Sequence, residues 1–193
     1  MSEYPVSLNL TEKRIVIVGG GRIALRKLKG LLGCGAILTV VSPEINEEIK
    51  NLVDFDTITF VEREVRGSDL QDAFLIIVAT NSFEVNEFVI NQVGDHQLVN
   101  ASHQANRGNV SLPATLKRGR LIISVFTGGA SPLLARKIRD DLSSKYDESY
   151  SKRLEYLYEK RLAIKSENIS ESEKKKVLEK VMNHALTEPL EID

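Results

Sequence analysis

The chain has one cysteine in 193 residues, Cys34. That excludes an intramolecular disulfide and fits a reducing compartment, so the expected location is the cytoplasm. Long hydrophobic runs are missing too. The longest, Ala73–Ala79, has seven residues, far below the ~20 that cross a bilayer as a helix. Met1–Leu10 carries no basic n-region, so no signal peptide is expected. Charge of one sign is not in excess: 26 Lys and Arg against 27 Asp and Glu give a net charge of -1. That argues against a general binder of nucleic acid or of membrane surfaces. Three further absences divide the chain. No glycine follows Gly129, no phenylalanine follows Phe126, and no Asp or Glu occurs from His96 to Arg139.

What is present first is an alternation of strand and helix. Arg14–Val18, Ile37–Val41, Thr57–Val61, Phe74–Ala79 and Gln97–Ala101 are short, β-branched apolar runs, as in buried parallel strands. Helical spacing fills Arg22–Leu32, Glu44–Val53 (with Pro43 at its first turn) and Phe83–Val93. The implied class is α/β, a Rossmann-like parallel sheet with helices on both faces. Asn109–Leu112 and Arg120–Phe126 also read as strands. Leu133 to about Lys145 reads as a helix with Ser131 as N-cap and Pro132 at N1. From Ser149 onward nine basic and nine acidic residues accompany narrow apolar stripes, which predicts exposed helices, the second opened by a Ser170/Glu173 capping box.

Gly19-Gly-Gly-Arg-Ile-Ala24 matches G-x-G-x-x-A between a strand and a helix, the context that gives this motif meaning. Gly19 permits the turn, Gly21 lets backbone approach a pyrophosphate, and Ala24 lets helix and strand pack closely. The N–H groups at Arg22 and Ile23 then face the phosphates. The second strand ends Val41-Ser42-Pro43, with Glu44 the nearest acid. Ser42 suits a ribose hydroxyl or, beside an arginine, a 2′-phosphate, so the motif leaves NAD and NADP both open. Thr80 and Asn81, at the end of the fourth strand, are candidate nicotinamide-side or ribose-side contacts. The acid-free stretch holds Arg107, Lys117, Arg118, Arg120, Arg136, Lys137 and Arg139. On charge alone it is either a cradle for a polyanion or a basic surface balanced by acids from elsewhere. No Cys/His spacing suggests a metal site.

Three segments resemble one family. Tyr4-Pro-Val-Ser-Leu-Asn-Leu10, Gly19–Lys27 and, with most specificity, Gly119-Arg-Leu-Ile-Ile-Ser-Val-Phe-Thr-Gly-Gly-Ala-Ser-Pro-Leu-Leu-Ala-Arg-Lys-Ile-Arg139 are similar to the precorrin-2 dehydrogenases of sirohaem synthesis. The resemblance implies NAD-dependent oxidation of precorrin-2 to sirohydrochlorin by a homodimer. It also implies three regions: an NAD-binding domain (1–113), a dimerisation segment (114–147) and a C-terminal helical region (148–193). The octacarboxylate substrate gives the acid-free stretch a purpose, with Arg107 and Arg120 as carboxylate partners. Thr127, Gly128 and Ser131 form an anion-ready turn before a helix. The family's loop after the fifth strand carries an Asp as the proposed base. Here that loop reads Asn100-Ala-Ser-His-Gln-Ala-Asn-Arg-Gly-Asn109, without an acid and with Ala105 as its odd apolar residue. His103 is the nearest titratable substitute, and Ser124 is a second candidate at the reaction centre. A bifunctional dehydrogenase and ferrochelatase, or a non-catalytic binding relative, are the alternatives.

Overall fold

The structure, a computed structural model, describes residues 3–52, 58–102 and 107–187. It divides into two compact units, Ser2–Leu112 and Pro113–Asp193.

In the first unit, β1 (Arg14–Val18), β2 (Ile37–Val41), β3 (Ile58–Val61), β4 (Leu75–Val78) and β5 (Leu98–Ala101) form one parallel sheet in the order β3-β2-β1-β4-β5. The intervening helices are α1 (Arg22–Leu31), α2 (Glu47–Lys50), α3 (Gly67–Leu70) and α4 (Phe83–Gln92). Successive strand residues point to opposite faces, and both faces are covered. Ile15, Ile17, Leu38, Val40, Leu75 and Ile77 pack with Ala24, Leu25 and Leu28 of α1 and Ile49 of α2. Val16, Val18, Val41, Ile76, Val78 and Val99 pack on the other side with Leu70 of α3 and Val89 of α4. A strand buried on both faces has no polar alternation, which is why these runs read as unbroken apolar segments.

Three local expectations are corrected. The helix expected over Glu44–Val53 is only four residues long. Asn46 is its N-cap, its Oδ1 accepting from the Glu48 N–H at 2.8 Å. Pro43 is therefore outside the helix, in the turn that joins β2 to it. α3 was absent from the sequence reading, because one turn of Gly-Ser-Asp-Leu has no period to detect. Asn109–Leu112 is not a strand. It closes the exposed edge of β5 by two backbone bonds, from the Asn109 and Val110 N–H groups to the Val99 carbonyl, and otherwise through side chains. Asn109 Oδ1 accepts the Val99 N–H at 2.7 Å and its Nδ2 donates to the Gln97 carbonyl, while Asn100 Nδ2 donates to the Val110 carbonyl. Gly108 permits this approach, since a Cβ there would stand 2.5 Å from the Val99 carbonyl oxygen.

A buried carboxylate, Asp69, ties the β3–α3 connection together. It accepts from the two terminal guanidinium nitrogens of Arg63, at 2.7 and 2.8 Å, and from the Arg66 N–H at 2.8 Å. The Arg63 hydrogen bonds hold its carboxyl below the ordinary range, against the opposing effect of burial. A depressed folded-state value means stabilisation present above the unfolded value near pH 4 and lost as pH falls through the folded value. Asp69→Ala is expected to cost about 1–2 kcal/mol through the lost cap and ion-pair hydrogen bonds. Asp69→Asn should flatten the acid limb of Tm measured from pH 7 to 3. An unaltered acid limb would remove Asp69 from the acid sensitivity of the fold.

The second unit opens with an antiparallel hairpin, β6 (Ala114–Arg118) and β7 (Leu121–Val125), followed by α5 (Pro132–Lys145), α6 (Ser149–Ser166) and α7 (Glu171–Thr187). The expected caps are present. Ser131 Oγ accepts from the Leu134 N–H with Pro132 at the helix start, and Ser170 and Glu173 bond reciprocally. α6 and α7 pack on each other around Ile164 and Ala185, with the Arg153 guanidinium donating to the Ala185 carbonyl. No helix among the described residues is long and apolar enough to cross a membrane.

Candidate functional site: a dinucleotide cleft

A cleft of about 790 Å3 opens at the carboxyl ends of β1, β2 and β4, where the strand order reverses. This is the position at which doubly wound sheets bind ligands. Its floor is the turn from β1 into α1. Gly19 is in the left-handed region with φ +118°, and a Cβ there would lie 2.5 Å from the Ala79 carbonyl oxygen. Its N–H donates to the Val41 carbonyl at 2.9 Å. The turn thus runs against the ends of both neighbouring strands.

Gly20 is equally constrained, although its place between the motif glycines gave no signal in the sequence. A Cβ there would meet the Glu44 carbonyl oxygen at 2.0 Å, and the Gly20 carbonyl accepts the Asn46 N–H at 2.8 Å. Gly21 is the opposite case: a Cβ would have nothing within 4 Å. Nothing among the described residues requires a glycine there, and Gly21 lines the cleft. Gly21 is also the N-cap of α1, without a side-chain cap and with no acidic residue in the first turn. The first-turn N–H groups, at Arg22 and Ile23 on the cleft wall and at buried Ala24 behind it, keep the positive end of the helix available to an anion.

At the β2 end, Ser42 is buried and its hydroxyl donates to the Glu44 carbonyl at 2.7 Å. Its proton is committed, so it offers only lone pairs, which suit a ribose hydroxyl and not a phosphate. Pro43, Glu44 and Glu64 line the same end. Glu44 and Glu64 bring two acidic residues to this rim, which disfavours a 2′-phosphate and favours NAD over NADP. Glu64 was missed in the sequence because it follows β3, far from the motif in chain distance. At the β4 end, Thr80 Oγ1 accepts the Ser82 N–H at 2.8 Å, and Asn81 is exposed on the cleft wall. The donors, space and polarity fit NAD.

Residues 6–114 match the family profile described as putative NAD(P)-binding. The chain is 41% identical over 180 residues to the precorrin-2 dehydrogenase of Priestia megaterium, covering 93% of this chain and 89% of that one. It is 36% identical to that of Bacillus subtilis (strain 168), covering 81% and 97%. The chain belongs to the precorrin-2 dehydrogenase family. The solved structure of "SirC, precorrin-2 dehydrogenase" superposes with a TM-score of 0.82 at 40% identity, over 96% of this chain and 93% of that one. The siroheme synthase of Nitrosomonas europaea is 37% identical over 158 residues, but the match covers only 33% of that longer chain.

The other residues singled out for this precorrin-2 dehydrogenase family member have mixed fates. His103, with Ala105, lies outside the described residues. The cationic stretch is largely neutralised. Arg107 pairs with Glu87 at 3.1 Å, Arg118 with Glu148 at 3.2 Å, Lys137 with Asp141 at 2.8 Å and Arg139 with Asp140 at 2.7 Å. Arg120 makes two hydrogen bonds to Glu155, at 2.8 and 3.2 Å, and its guanidinium lies 3.6 Å from the centre of the Tyr158 ring. These bonds hold the Glu155 carboxyl below its usual range. The expectation of a free +7 cradle is therefore corrected: the acids that are missing from the stretch come from α4, α5, α6 and Glu148 just before α6. Among the described residues, Lys117 and Arg136 have no such acidic partner.

Ser124 is exposed on β7, its Oγ 3.5 Å from Thr115 Oγ1 across the hairpin. The turn before α5 has Gly128 and Gly129 at φ +59° and +77°. It is closed by Thr127, whose Oγ1 accepts the Ser131 N–H and donates to the Ser131 carbonyl. Like α1, α5 has no acidic residue in its first turn.

Proposed function

We propose that the chain oxidises precorrin-2 to sirohydrochlorin with NAD, as a homodimer. The observation that carries the reading is the conjunction of an NAD-shaped cleft with the near full-length likeness to precorrin-2 dehydrogenases. NAD, when bound, would supply the acceptor for the hydride that leaves the reduced tetrapyrrole, while a proton is lost from the same substrate. The protein's part is to hold the cofactor and substrate in register and to take that proton. Gly19, Gly20 and Gly21 seat the pyrophosphate on the first-turn N–H groups of Arg22, Ile23 and Ala24. Ser42 and Pro43, with Glu44 and Glu64, hold the adenine-side ribose, while Thr80 and Asn81 bracket the nicotinamide side.

The turn of Thr127, Gly128 and Ser131 takes a substrate carboxylate, with Ser124 as a hydroxyl contact. Lys117 and Arg136 are the cations available to further carboxylates, whereas Arg107 and Arg120 must first exchange Glu87 and Glu155. His103 is the proton acceptor, supported by its being the one imidazole in Asn100–Asn109, a side-chain type suited to proton transfer.

Anaerobic precorrin-2 with NAD should give one NADH per sirohydrochlorin, followed by absorbance. No NADH formation would overturn the reading. NADP should react with a kcat/KM at least about tenfold lower, because Glu44 and Glu64 repel its extra phosphate. His103→Ala is expected to slow the reaction about 10²- to 10⁴-fold at neutral pH, with loss of the acid limb of the rate profile. An unchanged rate would remove His103 from proton transfer.

A further inference from the structure

A second, smaller recess of about 230 Å3 lies at the carboxyl ends of β4 and β5. It shares Asn81 with the dinucleotide cleft. Its walls are apolar: Val78, Phe83, Ile90 and Ala101. Two polar side chains interrupt them, Asn86 on α4 and Ser102 just after β5. Asn86 Oδ1 and Ser102 Oγ are both buried, and neither has a hydrogen-bond partner among the described residues.

The Asn86 amide cannot relieve this by turning over. Its Nδ2 donates to the Thr80 carbonyl at 3.4 Å, and that carbonyl can only accept. The atom at the recess is therefore an acceptor in need of a donor. Ser102 Oγ is a hydroxyl that can donate as well as accept. Buried polar atoms in folded proteins are nearly always paired, so two unpaired atoms in one recess point to a group that enters it.

The group that suits this recess presents a donor to Asn86 Oδ1, an acceptor or a donor to Ser102 Oγ, and an apolar body to Val78, Phe83 and Ile90. An aromatic primary carboxamide meets all three demands: its NH2 donates, its carbonyl accepts, and its ring is apolar. The dinucleotide held in the adjoining cleft ends in such a group.

We infer that the recess is the seat of the nicotinamide carboxamide, with Asn86 and Ser102 as its positioning residues. The inference rests on the NAD reading of the cleft. Two hydrogen bonds of opposite polarity allow only one rotamer of the carboxamide and one orientation of the ring. Asn86 and Ser102 thereby select which ring face meets the substrate, although neither takes part in hydride or proton transfer.

The test compares NAD with ADP-ribose, which has the same adenosine and pyrophosphate but no nicotinamide. Both are titrated calorimetrically into the full chain, into Asn86→Leu and into Ser102→Ala. Wild type should bind NAD more tightly than ADP-ribose. Each substitution should weaken NAD by about 5- to 10-fold, the loss of one hydrogen bond, while ADP-ribose changes less than about twofold. Equal losses for both ligands would mean that the substitutions disturb the cleft as a whole, and would overturn the assignment. So would unaltered NAD affinity in both variants, with the recess then holding only water. Wild type that binds NAD and ADP-ribose equally overturns the inference and leaves the cleft reading intact. Wild type that binds neither overturns the cleft reading itself.

Discussion

Gly21→Val is expected to fold with nearly wild-type stability and to lose NAD affinity by at least about 100-fold, some 2.7 kcal/mol. The fold tolerates it because Gly21 has φ -88° and ψ -169°, backbone that any residue adopts, and a Cβ there meets nothing within 4 Å. A branched side chain is a poorer N-cap than glycine, which lowers Tm by a few degrees at most. Binding is expected not to tolerate it, because the proposed site brings the pyrophosphate over that open space to the first turn of α1.

Gly20→Ala should behave in the opposite way. Its Cβ would stand 2.0 Å from the Glu44 carbonyl oxygen, so the segment from Pro43 to Asn46 must move and the bond from Asn46 N–H to Gly20 is strained or lost. Overpacking against backbone costs about 2–4 kcal/mol, or roughly 5–15 °C in Tm for a chain of this size. Thermal unfolding and NAD titration of the two variants side by side give the check. A Gly21→Val protein that binds NAD like wild type would show that the phosphates do not pass over this turn.

The second large effect concerns assembly. The unit from Pro113 onward leaves Ile122, Phe126, Leu133, Leu134 and Ile138 exposed, with Leu133 at 71% and Ile122 at 56%. β7 alternates strictly, with Ile122 and Ser124 outward and Leu121, Ile123 and Val125 inward. Outward apolar residues on a two-stranded sheet and on the first turns of α5 are surface that a monomer gains nothing by showing. The proposed homodimer covers it.

Leu134 and Ile138 are one helical turn apart on α5, so Leu134→Glu with Ile138→Glu puts two carboxylates on one stripe of that surface. The doubly substituted protein should sediment as a monomer at micromolar concentration, with unchanged far-ultraviolet circular dichroism. Burial of two charges in an interface is costly enough to shift dissociation by several orders of magnitude. Activity on precorrin-2 should fall at least about tenfold if the partner completes the substrate site. Wild type that sediments as a monomer, or a variant that remains dimeric, would contradict the assignment of this face.

The legible parts of this protein share a property: their signal is local in the chain. Arg14–Val18 and Ile37–Val41 read as strands because burial on both faces leaves unbroken β-branched runs. The glycine turn reads as a phosphate seat because strand, turn and helix are consecutive. Ser131-Pro132 and Ser170/Glu173 are helix starts whose bonds span three residues. In each case the partners are neighbours in sequence, and geometry over a few residues follows from covalent structure.

The parts that stayed hidden depend on partners far away in the chain. Residues 96–139 hold no acid, yet Glu87, Glu148 and Glu155 fold back to neutralise Arg107, Arg118 and Arg120. Composition records the charges and not their separations, and an ion pair is set by separation. Asn109–Leu112 has strand-like residues but edges β5 through the Asn109 and Asn100 side chains and two N–H bonds to the Val99 carbonyl, a choice made by where Val99 lies. Gly20 matters only because the Glu44 carbonyl oxygen stands 2.0 Å from where its Cβ would be, and Glu64 only because β3 sits beside β2. The fold class and the phosphate turn were therefore written in consecutive residues. The cofactor's missing 2′-phosphate, the identity of the free cations and the recess of Asn86 and Ser102 arose when the chain closed on itself, since each is a distance between segments that the backbone does not connect directly.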